Sequence, residues 1–377
     1  GGAYWPRSRR LRRGMPGPRT MLRALCLSLF LFACTGSAAA RAAPAGDAGV
    51  QAAMALPDDL RRMLPADVVN RRIDEAIRAQ ALIDFMIADE GLALRYQEQP
   101  TLGIAGSFAQ RRVNCLSFTM MFVAMARASG LKAFAQASDN ALSMRMLDGT
   151  LFRATHVNAG VLIDGEHHSV DVGWRGVAAG RKPRRIPDAR MVALLHNNHA
   201  VEHLLQGEAA AAAEAIAAAL ALDAGSATLW SNAGVIHARA GRRDEAERAY
   251  LRAISLQRDH IGALANLVGF HRAGGDAAQL AFYEKRLQRA QALDPFSQFL
   301  IGQARAEAGV PAEAIVHYRR AIRMLPDEPE FHRSLADAYQ ALGDPVAATR
   351  ARDRASRLEA KQEAERGIRD ADLPGPG

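Results

Sequence analysis

Aromatic side chains are scarce in this 377-residue chain, 6% of it, with three Trp and six Tyr. A protein that tracks phosphates needs a basic face, usually interleaved with stacking rings, and neither is visible here. The formal charge of +8 sits almost wholly in residues 1–33, which hold Arg7, Arg9, Arg10, Arg12, Arg13, Arg19 and Arg23 and no acid; the remainder carries +1. Nucleic acid is therefore not expected as a partner. No apolar run reaches the roughly twenty residues that cross a bilayer. No Gly-rich phosphate loop or Ser nucleophile elbow occurs, and nothing calls for a cofactor. What remains, 49% hydrophobic and 23% charged residues, is the profile of a soluble globular chain long enough for two folded units.

The amino terminus reads as an address. Arg19 and Arg23 precede a short apolar run from Ala24 to Ala33, the layout of a signal peptide. The run ends Leu31-Phe32-Ala33-Cys34, which resembles a bacterial lipoprotein box, with Phe32 an unusual filler. The resemblance implies a signal over residues 1–34, lipidation of Cys34 and a place in the cell envelope, at the outer membrane and facing the periplasm. Cleavage near Ala38-Ala39-Ala40 or Ala40-Arg41-Ala42 would instead give a soluble periplasmic protein. Residues 35–60, rich in Ala, Gly and Pro, read as a flexible tether. Of Cys26, Cys34 and Cys115, only Cys115 then remains in the folded body. It is either a reactive thiol or an inert buried one.

In the second half Gly207, Gly241, Gly275, Gly309 and Gly343 recur every 34 residues. Small residues fall at fixed offsets around them, among them Ala200, Gly234, Gly302 and Ala336 ahead and Ala212, Ala246, Ala314 and Ala348 behind. This spacing lets two antiparallel helices approach closely with glycine at the turn between them. The pattern resembles the tetratricopeptide repeat. The second unit has Trp230, Ala233-Gly234, Gly241, Ala246, Tyr250 and Ala253; the fourth has Ile301-Gly302, Gly309, Ala314, Tyr318, Ala321 and Pro326. The third puts Glu284, and the first Ile216, where an aromatic is expected. The resemblance implies five repeats over residues 193–362, an all-α solenoid whose groove takes a polypeptide substrate or protein partner, with a disordered tail over 363–377.

Ahead of the repeats, Val69, Ile73, Ile77, Leu82 and Met86 predict one amphipathic helix over residues 66–90. The stretch from Asn114 to Gly130 predicts a buried central helix, capped by Asn114 and ended by Gly130. Cys115 then falls in the first turn, where the helix dipole favours a thiolate. Strands are expected over residues 151–163 and 167–173, joined by Asp164-Gly165, so that residues whose numbers sum to 329 face each other. Val157 and Ala159 then line an apolar side with Val170 and Val172, and His156 and Asp171 become diagonal neighbours on the other. A thiol, an imidazole and a carboxylate so arranged predict a Cys-His-Asp triad. Cys115 attacks a carbonyl, His156 moves the proton and Asp171 fixes the tautomer; the Cys115 N–H offers one oxyanion donor, and Gln110 a second.

Asn114-Cys115-Leu116-Ser117-Phe118, Thr155-His156-Val157 and Val170-Asp171-Val172 resemble the transglutaminase-like superfamily, papain-like in fold. Val157 stands where many members have an aromatic. The resemblance implies an α+β domain over residues 61–192 with acyl-transfer or amide-hydrolysis chemistry; the alternative is an inactive scaffold whose repeats do the binding. A metal reading of His167, His168 and Asp171 lacks a completing cluster. His196, His199 and His203 share a helical spacing that reads as a polar face.

Overall fold

The computed structural model describes residues 46–138, 144–147, 150–153, 156–170 and 184–371. The expected signal segment, Cys34 and Asp171 lie outside the described residues. No described helix is long and apolar enough to cross a membrane.

Four helices open the fold: α1 (Asp47–Ala53), α2 (Asp58–Arg62), α3 (Ala66–Val69) and α4 (Glu75–Ile87). Residues 46–60 are thus not a tether. Leu56, in the link between α1 and α2, and Leu60 of α2 are buried in the main core and pin this segment to it. The single helix expected over 66–90 is divided in two. Asp74 caps α4 by accepting from the Ala76 N–H at 2.7 Å, which fixes a new helix start there. Val69 and Ile77, expected on the apolar face, are exposed, while Val68, Leu82 and Met86 are buried.

Next come β1 (Arg95–Tyr96), α5 (Ile104–Gln110), β2 (Arg112–Val113), α6 (Cys115–Ala128) and β3 (Lys132–Ser138), then a separate hairpin of β4 (Met144–Leu147) and β5 (Thr150–Arg153). After it run β6 (His156–Ile163), β7 (Glu166–Val170) and β8 (Arg184–Ile186), and the main sheet has the order β7-β6-β3-β8, all antiparallel. Every residue from Leu116 to Ala126 of α6 is buried, as its unbroken apolar run requires. The strand expected over 151–163 is shared between β5 and β6. The turn is as read: Asp164 and Gly165 both have positive φ, 51° and 85°, and Ala159 pairs with Val170. Twin positive φ values match the strands' own twist, so this turn fixes the register. Val157, Ala159 and Val161 are buried with Ala133, Ala135 and Ala137 in the core cluster that holds α6.

Ten helices follow: α7 (Asp188–Leu205), α8 (Ala209–Leu222), α9 (Ala227–Arg239), α10 (Arg243–Leu256), α11 (Ile261–Gly274), α12 (Ala277–Ala292), α13 (Pro295–Glu307), α14 (Pro311–Met324), α15 (Pro329–Leu342) and α16 (Pro345–Ala371). They pack in five consecutive pairs, and α7 with α9, α9 with α11 and α13 with α15 adjoin along one side. The five periodic glycines all adopt positive φ, between 73° and 84°, which a side chain would resist. A Cβ on Gly234 would stand 2.4 Å from the Tyr250 ring, and one on Gly302 2.6 Å from Tyr318. In the third pair Val268 occupies that small position, and Tyr283, one residue before Glu284, is the buried ring, stacked on His271 at 5.3 Å. Helix α16 runs to Ala371, beyond the repeat end expected at 362 and into the segment read as a disordered tail. The unit boundary expected at 192/193 falls inside α7.

Candidate active site and repeat groove

The start of α6 is built by polar side chains that fix its first turn. Asn114 accepts from the Ser117 N–H at 3.0 Å and donates to the Thr101 hydroxyl at 2.9 Å. Ser117 donates its hydroxyl to the Leu102 carbonyl at 2.6 Å. Cys115, a free thiol, sits half-buried at the first position after this cap. Four residues on, and so on nearly the same helix face, the Thr119 hydroxyl lies 2.7 Å from the Cys115 carbonyl and 3.4 Å from the Val157 carbonyl.

That contact follows from the topology. After α6 the chain turns at Gly130 and returns as β3, and β6 runs antiparallel to β3. β6 therefore runs in the direction of α6, so its first residue, His156, and the helix's first residue, Cys115, fall at one end. In the backbone, His156 pairs with Ser138, the last residue of β3. The structure brings these two chain positions to one end of the sheet. Asp171 follows Val170, the last residue of β7, and lies outside the described residues, as do the pairings expected of Val172 and Gly173. Gln110 ends α5 on the exposed surface.

Thr101 is the residue that sequence reasoning missed. Its N–H donates to Glu202 at 2.7 Å, its carbonyl lies 2.9 Å from His199 Nε2, and Asn198 reaches its hydroxyl at 3.3 Å. The cap of the cysteine helix is thereby tied to α7, the first helix of the solenoid. His199 and Glu202 are not merely a solvated face; they hold this loop. Burial, with His199 nearby, keeps His196 below the ordinary imidazole pKa. His203 instead pairs with Glu208 at 2.6 Å. On the sheet, His167 Nε2 lies 2.8 Å from Gln136 Oε1, and among the described residues no group of three His, Cys, Asp or Glu is placed to hold a metal.

The solenoid also meets the first half elsewhere, since β5 lies against α11 and α9. A family model for the tetratricopeptide repeat matches residues 227–260, the pair α9 and α10. The repeats are tetratricopeptide-like. Among solved structures, a MamA fragment from Desulfovibrio magneticus RS-1 is 17% identical and covers 45% of this chain and 96% of its own, at a TM-score of 0.27. A second MamA, described as MSR-1 C2, is 19% identical over 46% of this chain and 99% of that one, at 0.26. YrrB, described as a TPR protein with an unusual peptide-binding site, is 18% identical over 45% and 87%, at 0.25. No curated protein matches the chain. Such repeats stack into extended concave surfaces suited to protein–protein contact, and the family-model match does not reach residues 65–190, for which no transglutaminase-like domain is shown.

Proposed function

We propose that this is an exported, lipid-anchored or periplasmic protein in which a transglutaminase-like site acts on an amide or peptide bond of a polypeptide that the repeats recruit. The observation that carries the reading is the shared end of α6 and β6, with Thr119 spanning the backbones beside Cys115 and His156. In this mechanism the Cys115 Sγ forms a bond to the carbonyl carbon while His156 takes the thiol proton. As the tetrahedral intermediate collapses, the C–N bond breaks and His156 returns that proton to the departing amine. Water, or a second amine, then attacks the thioester and releases the thiol. Asp171 orients the imidazole, the Cys115 N–H receives the developing oxyanion, and the papain-like fold of the superfamily goes with this assignment. No cofactor is assigned a part in the chemistry.

A second reading, an inactive scaffold, is favoured by one observation: the cap network closes among Asn114, Ser117 and Thr101 without the thiol, which makes no hydrogen bond among the described residues. Iodoacetamide labelling of the Cys115 peptide, followed by mass spectrometry against pH, separates the two. Under the first reading labelling stays fast well below the ordinary thiol pKa of about 8.5 and slows in His156→Ala. A profile that follows an ordinary thiol, unchanged in His156→Ala, leaves the scaffold.

A further inference from the structure

The second helices of the last three pairs carry basic residues at one recurring outward place. Arg289 in α12, Arg323 in α14 and Arg357 in α16 are spaced by 34 residues, so they hold equivalent positions in successive pairs, and all three are exposed. Phe282, Lys285 and Leu293 lie along the same stripe as Arg289, at helical spacings that keep one face. Val316, Arg319 and Arg320 stand likewise beside Arg323, and Val346 and Arg350 beside Arg357. The opposite faces of these helices hold the buried Tyr283, Tyr318 and Ala355.

The acids that could neutralise this face are turned away from it. As far as Lys361 these three helices hold only Glu284, Glu313, Asp353 and Glu359. Glu284 pairs with Arg272 of α11 at 2.9 Å, Glu313 with Arg305 of α13 at 3.4 Å and Glu359 with Arg333 of α15 at 3.0 Å. Those ion pairs serve the first helices, and Arg289, Arg323 and Arg357 have no ion-pair partner among the described residues. Cations left together in this way attract an anionic surface. No local run of sequence reveals the face, because a whole period separates each arginine from the next.

The apolar members of the same stripes say which anion. Phe282 is 54% exposed, Val316 49%, Val346 61% and Leu293, just past the end of α12, 76%. The Arg286 guanidinium lies 5.8 Å over the Phe282 ring. Nucleic acid would reward the cations and leave these aliphatic side chains in water. A bilayer surface rewards both, since headgroup phosphates take the guanidinium groups while the boundary beneath them admits the apolar side chains. We propose that the outward face of α12, α14 and α16 docks on an anionic lipid bilayer surface without crossing it. Docking needs neither the chemistry of Cys115 nor a lipid on Cys34, so it stands or falls separately from the catalytic reading.

The test is flotation of the full chain with vesicles of phosphatidylglycerol and phosphatidylcholine, against vesicles of phosphatidylcholine alone. The protein binds the anionic vesicles more tightly, and its affinity for them falls as salt rises. Arg289→Gln with Arg323→Gln and Arg357→Gln weakens that binding about tenfold or more. Arg61→Gln with Arg72→Gln and Lys132→Gln removes as much exposed charge elsewhere and has a much smaller effect. Both triple variants keep the arginines of residues 1–33, so the difference between them reports this face alone. Phe282→Ser with Leu293→Ser weakens vesicle binding about threefold or more. Equal effects of the two triple variants, or unaltered vesicle binding when Phe282 and Leu293 are replaced, overturns the proposal. So does a first triple variant that loses binding to duplex DNA or polyglutamate while its vesicle binding is unchanged. Circular dichroism of each variant checks that the helices are intact.

Discussion

In the repeats, Gly234 lies under the Tyr250 ring and Gly302 under Tyr318, each contact joining the two helices of one pair. Helix α6 is held otherwise. Its cap depends on Thr101, its first turn touches β6, and its apolar faces lie in a core shared with strands up to fifty residues or more downstream. The solenoid is a sum of near-neighbour contacts, each written within one period, whereas the α+β half closes only when distant segments arrive together. Damage in the first should stay local and damage in the second should spread.

The largest expected effect sharpens that contrast with one chemical change in two places. Phe122 in α6 and Phe331 in α15 are both fully buried, so replacing either by Ala is expected to cost about 3–5 kcal/mol. In hydrogen exchange, Phe331→Ala should lose protection mainly in α13 to α16, while Phe122→Ala loses it across the sheet. Equal, global loss in both variants would break the comparison. Next in size, Gly234→Ala and Gly302→Ala force a methyl into a tyrosine ring and are expected to lose about 1–3 kcal/mol in urea unfolding. A shift below a few tenths would mean that the rings move aside freely.

Asn114→Ala is expected to cost about 1 kcal/mol for the lost cap, and more for leaving Thr101 with one partner fewer. The control Asp74→Ala, a cap with no long-range partner among the described hydrogen bonds, should cost only the first part. The smallest effect concerns Glu328, whose carboxyl is buried in the described structure with one oxygen lacking a hydrogen-bond partner. Burial raises its pKa. A raised folded-state pKa means that the native protein holds this proton more tightly, so its contribution is favourable below the unfolded value and is lost as pH rises through the folded one. Glu328→Gln should therefore raise the urea midpoint slightly at pH 7 and leave it unchanged near pH 4.

Much of the repeat half was legible because its rules act within 34 residues. A glycine at positive φ, a small residue and a ring on the next helix are all adjacent in the period. The third pair was harder, since Glu284 stands at the aromatic's place and the buried ring, Tyr283, is one residue earlier. Only the packing around Val268 and His271 shows which residue turned inward. In the first half the hairpin register was legible for the same local reason, Asp164-Gly165 admitting one turn. The division of α3 from α4 was not, because one capping hydrogen bond at Asp74 outweighed an apolar periodicity that ran through it.

By itself the sequence determined the repeat period, the buried run of α6 with its Asn114 cap and Gly130 stop, and the turn that sets β6 against β7. Each depends on backbone preferences or packing within a few tens of residues. Only the tertiary structure decided that Thr101 joins the cysteine helix to α7, through partners about a hundred residues away in the chain. It alone put the starts of α6 and β6 at one end. Those arrangements arise from long-range burial and pairing, where the free energy belongs to surfaces brought together and not to any segment's own propensity.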